Sequence, residues 1–226
     1  MKNPHAYIKT NIEGFANLLE GAALQNINKI IYASSSSVYG ISDTLPLIES
    51  FSTDHPISVY AATKKSNELL AHAYSEIYGI DLIGLRYFTV YGPMGRPDMA
   101  LWTFTESILN QTPIYLFGHG KLKRDFTYID DAVNLTLAIS EKNVKGSNVY
   151  NVGSDRPINI ANFLRSLEKI IGKKAKIKYT EVQRGDVNFT HASNDKLLSE
   201  ISKFEFTKLD FGLKCWFDWY KCYIDN

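Results

Sequence analysis

Two short apolar runs separated by a helix-length segment restrict this chain more than any other feature. Ile30, Ile31, Tyr32 and Ala33 are uncharged and rich in β-branched and aromatic side chains, the composition of a strand buried on both faces. Residues 80–85 form a second, mostly apolar run. Between them, residues 58–78 carry a helical pattern that stops at Gly79, a residue at ease in the left-handed conformation that ends helices. Strand, helix and strand in that order predict a parallel sheet closed by a crossover helix. An earlier helix is expected over 4–21, where Ile8, Ile12, Phe15, Leu18 and Leu19 recur at helical spacing.

After Pro93 the pattern changes. Helices are expected over 99–110, 129–141 and 160–171, and strands over 114–117, 124–128, 148–152 and 175–179, with helical segments from there to the end. Asp130 and Asp131 open the 129–141 helix, where carboxylates suit the helix dipole. The fold class is therefore α/β with a parallel sheet; the resemblance described below implies that this sheet is a partial doubly wound, Rossmann-like one with a small C-terminal α/β substrate lobe. The domain expectation is 1–93 for the sheet and 94–226 mainly for the lobe, with segments returning to the sheet.

Composition excludes several classes. A net charge of +1 gives no electrostatic ground for a nucleic-acid or anionic-membrane partner. No apolar run approaches the ~20 residues needed to span a bilayer, and the first residues carry no export signal, so a cytoplasmic location is expected. Cys215 and Cys222 are expected as reduced, partly buried thiols. The five histidines show no metal spacing, and His72 is expected to pack on its helix.

The chemistry concentrates at the strand ends. Ala33 runs into Ser34, Ser35, Ser36 and Ser37, and in open α/β sheets ligands bind at the carboxyl ends of the strands. Tyr60 and Lys64 stand four residues apart, on one helix face. A cation beside a phenol favours the phenolate, and such a tyrosine can take up or return a proton near neutral pH. A dinucleotide-binding sheet normally also has a strand followed by a Gly-rich turn that cradles the pyrophosphate. These 226 residues contain no such turn.

Ser35, Tyr60 and Lys64 in these contexts resemble the extended short-chain dehydrogenase/reductase family of nucleotide-sugar epimerases and dehydratases. The stretch Leu85-Arg86-Tyr87-Phe88-Thr89-Val90-Tyr91-Gly92-Pro93-Met94-Gly95-Arg96-Pro97-Asp98 is similar to that of bacterial UDP-glucuronate 4-epimerases, including the capsular-polysaccharide type. Asn11-Ile12-Glu13-Gly14, Arg124-Asp125-Phe126-Thr127-Tyr128, Tyr150-Asn151-Val152-Gly153 and Gln183-Arg184-Gly185-Asp186 extend the likeness. It corresponds to the family's latter two-thirds.

The resemblance implies roles. Tyr60, Lys64 and Ser35 would be catalytic: Tyr60 takes the proton of the sugar's 4-hydroxyl, Lys64 binds the nicotinamide ribose, and Ser35 bonds the reacting oxygen. Hydride moves from C4 to NAD and returns to the other face of the ketosugar. Tyr60, Lys64, Tyr87 and Asn11 would contact NAD, whose pyrophosphate site is absent from this chain. Ser36, Ser37, Thr89 and Arg96 would bind a substrate carboxylate, Arg124 the diphosphate and Asp186 the uridine ribose. Asn11 could equally tie helix to strand, and Arg96 could pair with Asp98. Family dehydratases carry Asp-Glu where Ser36 and Ser37 stand, and galactose-type epimerases carry Asn at Thr89. A UDP-uronic acid is therefore the expected substrate and NAD the cofactor. A homodimer is expected through helices 4–21 and 58–78. The alternatives are an inactive remnant or interaction subunit with a complementary N-terminal fragment, a 4,6-dehydratase, or a neutral-sugar 4-epimerase.

Overall fold

A computed structural model of the chain describes residues 3–181, 187, 189–201 and 203–225. The elements in chain order are α1 (Pro4–Tyr7), a π-helical segment (Ile8–Glu13), α2 (Gly14–Leu24), β1 (Lys29–Ser35), a 3₁₀ turn (Ser36–Tyr39) and α3 (Val59–Tyr78). Then come β2 (Asp81–Tyr87), β3 (Thr89–Tyr91), α4 (Ala100–Leu109), β4 (Pro113–Phe117), β5 (Lys123–Tyr128) and α5 (Ile129–Ser140). The chain continues with β6 (Ser147–Val152), β7 (Pro157–Asn159), α6 (Ile160–Ile171), β8 (Lys176–Thr180), α7 (Asp195–Glu200) and α8 (Leu209–Ile224).

Two compact units result. The first runs to Phe88 and regains Leu135–Val152 and Ala192–Lys203; the second holds Thr89–Asn134, Gly153–His191 and the chain from Phe204. The first unit is the Rossmann-like part. Its sheet has the order β1-β2-β6, parallel throughout. The register sets Tyr32 beside Gly84, Ser34 beside Arg86 and Ser35 beside Tyr87. Gly84 is required by a close approach, because a Cβ there would fall 2.6 Å from the Tyr32 hydroxyl. Helices α2 and α3 cover β1 and β2 through Leu19, Ala22, Tyr32, Ala71, Ile80 and Leu82.

Local chemistry explains α3. Ser58, in extended backbone, accepts a hydrogen bond from the Ala61 N–H at 3.1 Å and caps the start. Gly79 ends the helix at φ 69°, its N–H donating to the Ser75 carbonyl at 2.9 Å.

The second unit has two small sheets, β3-β5-β7 and the parallel pair β4-β8. Its core is aromatic. Trp102 meets Trp216, Trp219, Tyr220 and Tyr223 edge-on, with centroids 5.4–5.9 Å apart. The buried Trp216 indole N–H donates to the Thr105 hydroxyl at 2.9 Å.

Several expectations need correction. The first helix extends to Leu24 and widens into a π segment, with the Gly14 N–H bonding the Lys9 carbonyl. Strands 29–33 and 80–85 extend to Ser35 and Tyr87, because pairing in register carries polar residues into the ladder. The three-residue strands β3 and β7 are too short for any periodicity to show. His72 is exposed on α3 rather than packed. Cys215 is half-buried, Cys222 is exposed, and neither forms a disulfide. No described helix is long and apolar enough to cross a membrane.

Burial of tyrosines sets the response to alkali. Burial pushes the hydroxyls of Tyr39 and Tyr150 up to about 12, against a reference near 10 in an unfolded chain. A raised phenol binds its proton more tightly when folded. Its contribution is fully present below pH about 10 and is lost as pH rises through about 12. Stability should therefore fall across that window. Phenolate absorbance of this tyrosine class should rise together with loss of helical ellipticity, not before it.

Candidate active site

In the first unit the expected catalytic residues stand at the carboxyl end of β1 and on the opening turns of α3, and the expected cofactor contact Tyr87 ends β2. Ser35 closes β1, is buried, and caps the following turn, its Oγ accepting the Ser37 N–H at 3.1 Å. That turn holds Ser36 and Ser37 half-buried and ends at Gly40, where φ is 63° and a Cβ would run into the His55 carbonyl. Tyr87 closes β2 opposite Ser35, its hydroxyl 2.7 Å from that of Thr136. Burial raises the Tyr87 phenol above its ordinary value.

Tyr60 and Lys64 share a face of α3, as their spacing requires. The Lys64 ammonium donates to the Ala33 carbonyl at 2.9 Å and lies 6.0 Å from the centre of the Tyr60 ring. Its strongest contact is thus to the strand rather than to the phenol. Burial lowers the Lys64 pKa. Tyr60 is half-buried and meets Tyr7 edge-on at 6.0 Å. Asn11, in the π segment, donates to the Thr63 hydroxyl at 3.0 Å. Asn67, with its amide nitrogen as donor, reaches the Asn11 carbonyl at 2.7 Å and the Thr63 carbonyl at 3.1 Å. Asn11 therefore ties the first helix to α3.

A buried network escaped sequence reasoning. Glu68, one turn beyond Lys64, takes Arg86 Nε and Nη2 at 2.8 Å each, while Ser34 Oγ donates to Glu68 Oε1 at 2.6 Å. Arg86 is 3% exposed and Glu68 7%. Burial opposes the guanidinium's charge, but the Glu68 carboxylate outweighs it and holds Arg86 firmly protonated. A signal did exist: a charged residue one step past a buried apolar strand must find a partner.

In the second unit, a cavity of about 520 Å³ is lined by Thr89, Asp98, Tyr115, Phe117, Arg124 and Phe126, among others. It is mostly apolar with a few polar groups, the character of a small-molecule site. Thr89 and Arg124 were expected to bind substrate; the aromatic residues of β4 were not singled out. Arg124 Nη1 donates to the Lys123 carbonyl at 3.0 Å. Arg96 lines a smaller cavity of about 50 Å³ that shares Thr89, Met99, Ala100 and Phe126 with the first. Its guanidinium grips the Asp98 carboxylate through Nε at 3.0 Å and Nη2 at 2.7 Å, in an exposed pair. The Arg96 hydrogen bonds hold the Asp98 carboxyl below its usual range. Next to Arg124, the buried Asp125 accepts the N–H and hydroxyl of Ser154 at 2.6 and 2.8 Å and the Asp155 N–H at 3.1 Å. Gln183, Arg184 and Asp186 lie outside the described residues.

Residues 1–153 match the profile of the NAD dependent epimerase/dehydratase family. This chain belongs to that family. Protein CapI of Staphylococcus aureus is 44% identical over 237 residues, covering 97% of this chain and 71% of that protein. UDP-glucuronate 4-epimerase 4 of Arabidopsis thaliana is 43% identical over 243 residues, covering all of this chain and 56% of that one. A crystal structure of UDP-glucuronic acid 4-epimerase from Bacillus cereus, in complex with UDP-glucuronic acid and NAD, superposes with a TM-score of 0.90 at 34% identity, covering 96% of this chain and 68% of that one. The likeness to that solved structure thus reaches well beyond the residues the family profile matches.

The buried pair yields a stability test. Glu68→Leu strands the Arg86 guanidinium and should cost about 3–5 kcal/mol in urea unfolding, whereas Glu68→Leu with Arg86→Leu should cost clearly less, since no charge is left unpaired.

Proposed function

We propose that this chain supplies the proton chemistry and the sugar-nucleotide site of an NAD-dependent UDP-glucuronate 4-epimerase, interconverting UDP-glucuronate and UDP-galacturonate. The observation that carries the reading is Lys64 fastened to the Ala33 carbonyl, two residues before Ser35, on the α3 face that also carries Tyr60. Tyr60 takes the proton of the sugar's 4-hydroxyl and returns one to the 4-oxygen of the epimer. Ser35 Oγ bonds that oxygen. Ser36 and Ser37 are hydroxyls, not the acid and base that eliminating water needs, which disfavours a dehydratase.

Donor chemistry fits the nicotinamide end of NAD. Lys64 spends one of three ammonium donors on Ala33 and offers the rest to ribose hydroxyls. Tyr60, Tyr87 and Asn11 complete the set. The chemistry NAD supplies when bound is reversible hydride transfer at C4. The pyrophosphate needs backbone donors of a Gly-rich turn, which these 226 residues do not contain; calorimetric titration of the chain should show no saturation at micromolar NAD. A second copy is the partner we favour for the apolar side chains exposed on α2 and α3, Leu18, Leu24, Leu69 and Ile77, and Leu69→Lys should lower the mass seen in sedimentation.

Thr89 and Arg124 in the 520 Å³ cavity support a uridine-diphosphate site, with Arg124 on the diphosphate and Asp186 on the ribose. In a form of the protein that binds NAD, Tyr60→Phe should lower turnover by roughly 10²–10⁴ with little change in substrate affinity. Near-normal turnover of that variant would reject the assignment.

Arg96 and Thr89 are assigned to the substrate carboxylate. Asp98 then competes with the substrate for the Arg96 fork. UDP-glucuronate should be preferred to UDP-glucose by about 1–3 kcal/mol or more. Arg96→Ala should erode that preference, while Asp98→Asn, removing the competing carboxylate, should tighten UDP-glucuronate alone. Competition binding with the two sugar nucleotides measures all three.

A further inference from the structure

The serine turn between β1 and α3 is flanked by Ser34 and Tyr39, and both are fastened to one ion pair. Ser34 Oγ donates to Glu68 Oε1 at 2.6 Å, and the same oxygen takes Arg86 Nε at 2.8 Å. The Arg86 guanidinium lies 4.7 Å from the centre of the Tyr39 ring, and Tyr39 Oη donates to Asn151 Oδ1 at 2.7 Å. Ser34 and Arg86 are register partners across β1 and β2, so their side chains leave the same face of the sheet. A two-point carboxylate–guanidinium contact fixes the plane of the guanidinium. The guanidinium lies over the Tyr39 ring and holds it, and the shared Oε1 holds Ser34. Four residues remain between the two fixed points, closed by the Ser37 N–H to Ser35 Oγ and the Gly40 N–H to the Ser37 carbonyl at 3.2 Å.

We infer that the Arg86–Glu68 pair is a positioning device for the Ser35–Ser36–Ser37 turn. It acts through Ser34 on one side and Tyr39 on the other, and does not touch the substrate. Both anchors adjoin the turn, so loss of either should open the turn locally, beyond any general loss of stability. The consequence for ligand rests on the proposed UDP-uronate reading: a loosened turn presents its hydroxyls less well to the sugar.

The test is hydrogen exchange, followed by mass spectrometry, on the full 226-residue chain. Ser34→Ala removes one anchor while leaving Glu68 and Arg86 paired. Arg86→Lys keeps the charge but loses the fork and the guanidinium over the Tyr39 ring. In both, amides 35–39 should exchange faster, on the order of tenfold, the equilibrium worth of one hydrogen bond to a charged group. Amides of α6 should change far less than amides 35–39, and Ser34→Thr, which keeps a hydroxyl, should restore protection. If Arg86→Lys fails to fold, Ser34→Ala carries the test alone. Unchanged exchange at 35–39, or acceleration spread evenly over the first unit, would overturn the inference. UDP-glucuronate affinity, read by calorimetry on the same proteins, should fall in Ser34→Ala and recover in Ser34→Thr. A wild-type chain that binds no UDP-glucuronate would reject the substrate reading, and the exchange data would still decide the clamp.

Discussion

Two charges withdrawn from water hold the first unit's working end together. Arg86 on β2 and Glu68 on α3 are nearly inaccessible to solvent, and neither can be left without the other. Through Ser34 the pair also takes hold of β1. Three elements therefore meet at one carboxylate, and each carries a candidate residue close to its contact. Ser35 follows Ser34, Tyr87 follows Arg86, and Lys64 stands one helical turn before Glu68. The alternation of side chains along a strand sends Ser34 and Arg86 to the helix side and Ser35 and Tyr87 to the other. The helix period keeps Lys64 and Glu68 on one stripe, so Lys64 reaches the strand at Ala33.

The second unit solves a different problem. Its sheets are short, and stability rests on aromatic area around Trp102 and Trp216 instead of long strand ladders. The strand β4 alternates buried and outward side chains, and two of the outward ones, Tyr115 and Phe117, line the 520 Å³ cavity with Arg124. An apolar wall carrying the Arg124 guanidinium has the mix of apolar lining and few polar groups that small-molecule sites use.

Much of this was legible in the sequence, for physical reasons that can be named. Strand 29–33, the helix ending at Gly79 and strand 80–85 were visible because burial on both faces leaves little but apolar residues. The Tyr60–Lys64 pair was visible because helix spacing converts sequence into a shared face. The π segment was not, since one extra residue in a turn leaves no mark on composition. Nor was the Arg86–Glu68 pair, whose members stand eighteen residues apart on different elements; Arg86 alone hinted that a buried partner existed without saying which. Arg96 illustrates the opposite limit. Its type suits a carboxylate, and a carboxylate it grips is its neighbour Asp98.

The proposed chemistry is a proton relay at Tyr60 coupled to a hydride that leaves C4 and comes back. The measurement that addresses it most directly follows UDP-glucuronate carrying deuterium at C4, supplied to a form of the protein that binds NAD. The account predicts UDP-galacturonate that retains the deuterium at C4, with no net change in NAD. Loss of the label to solvent, release of carbon dioxide, or a 4-keto product that has eliminated water would contradict it.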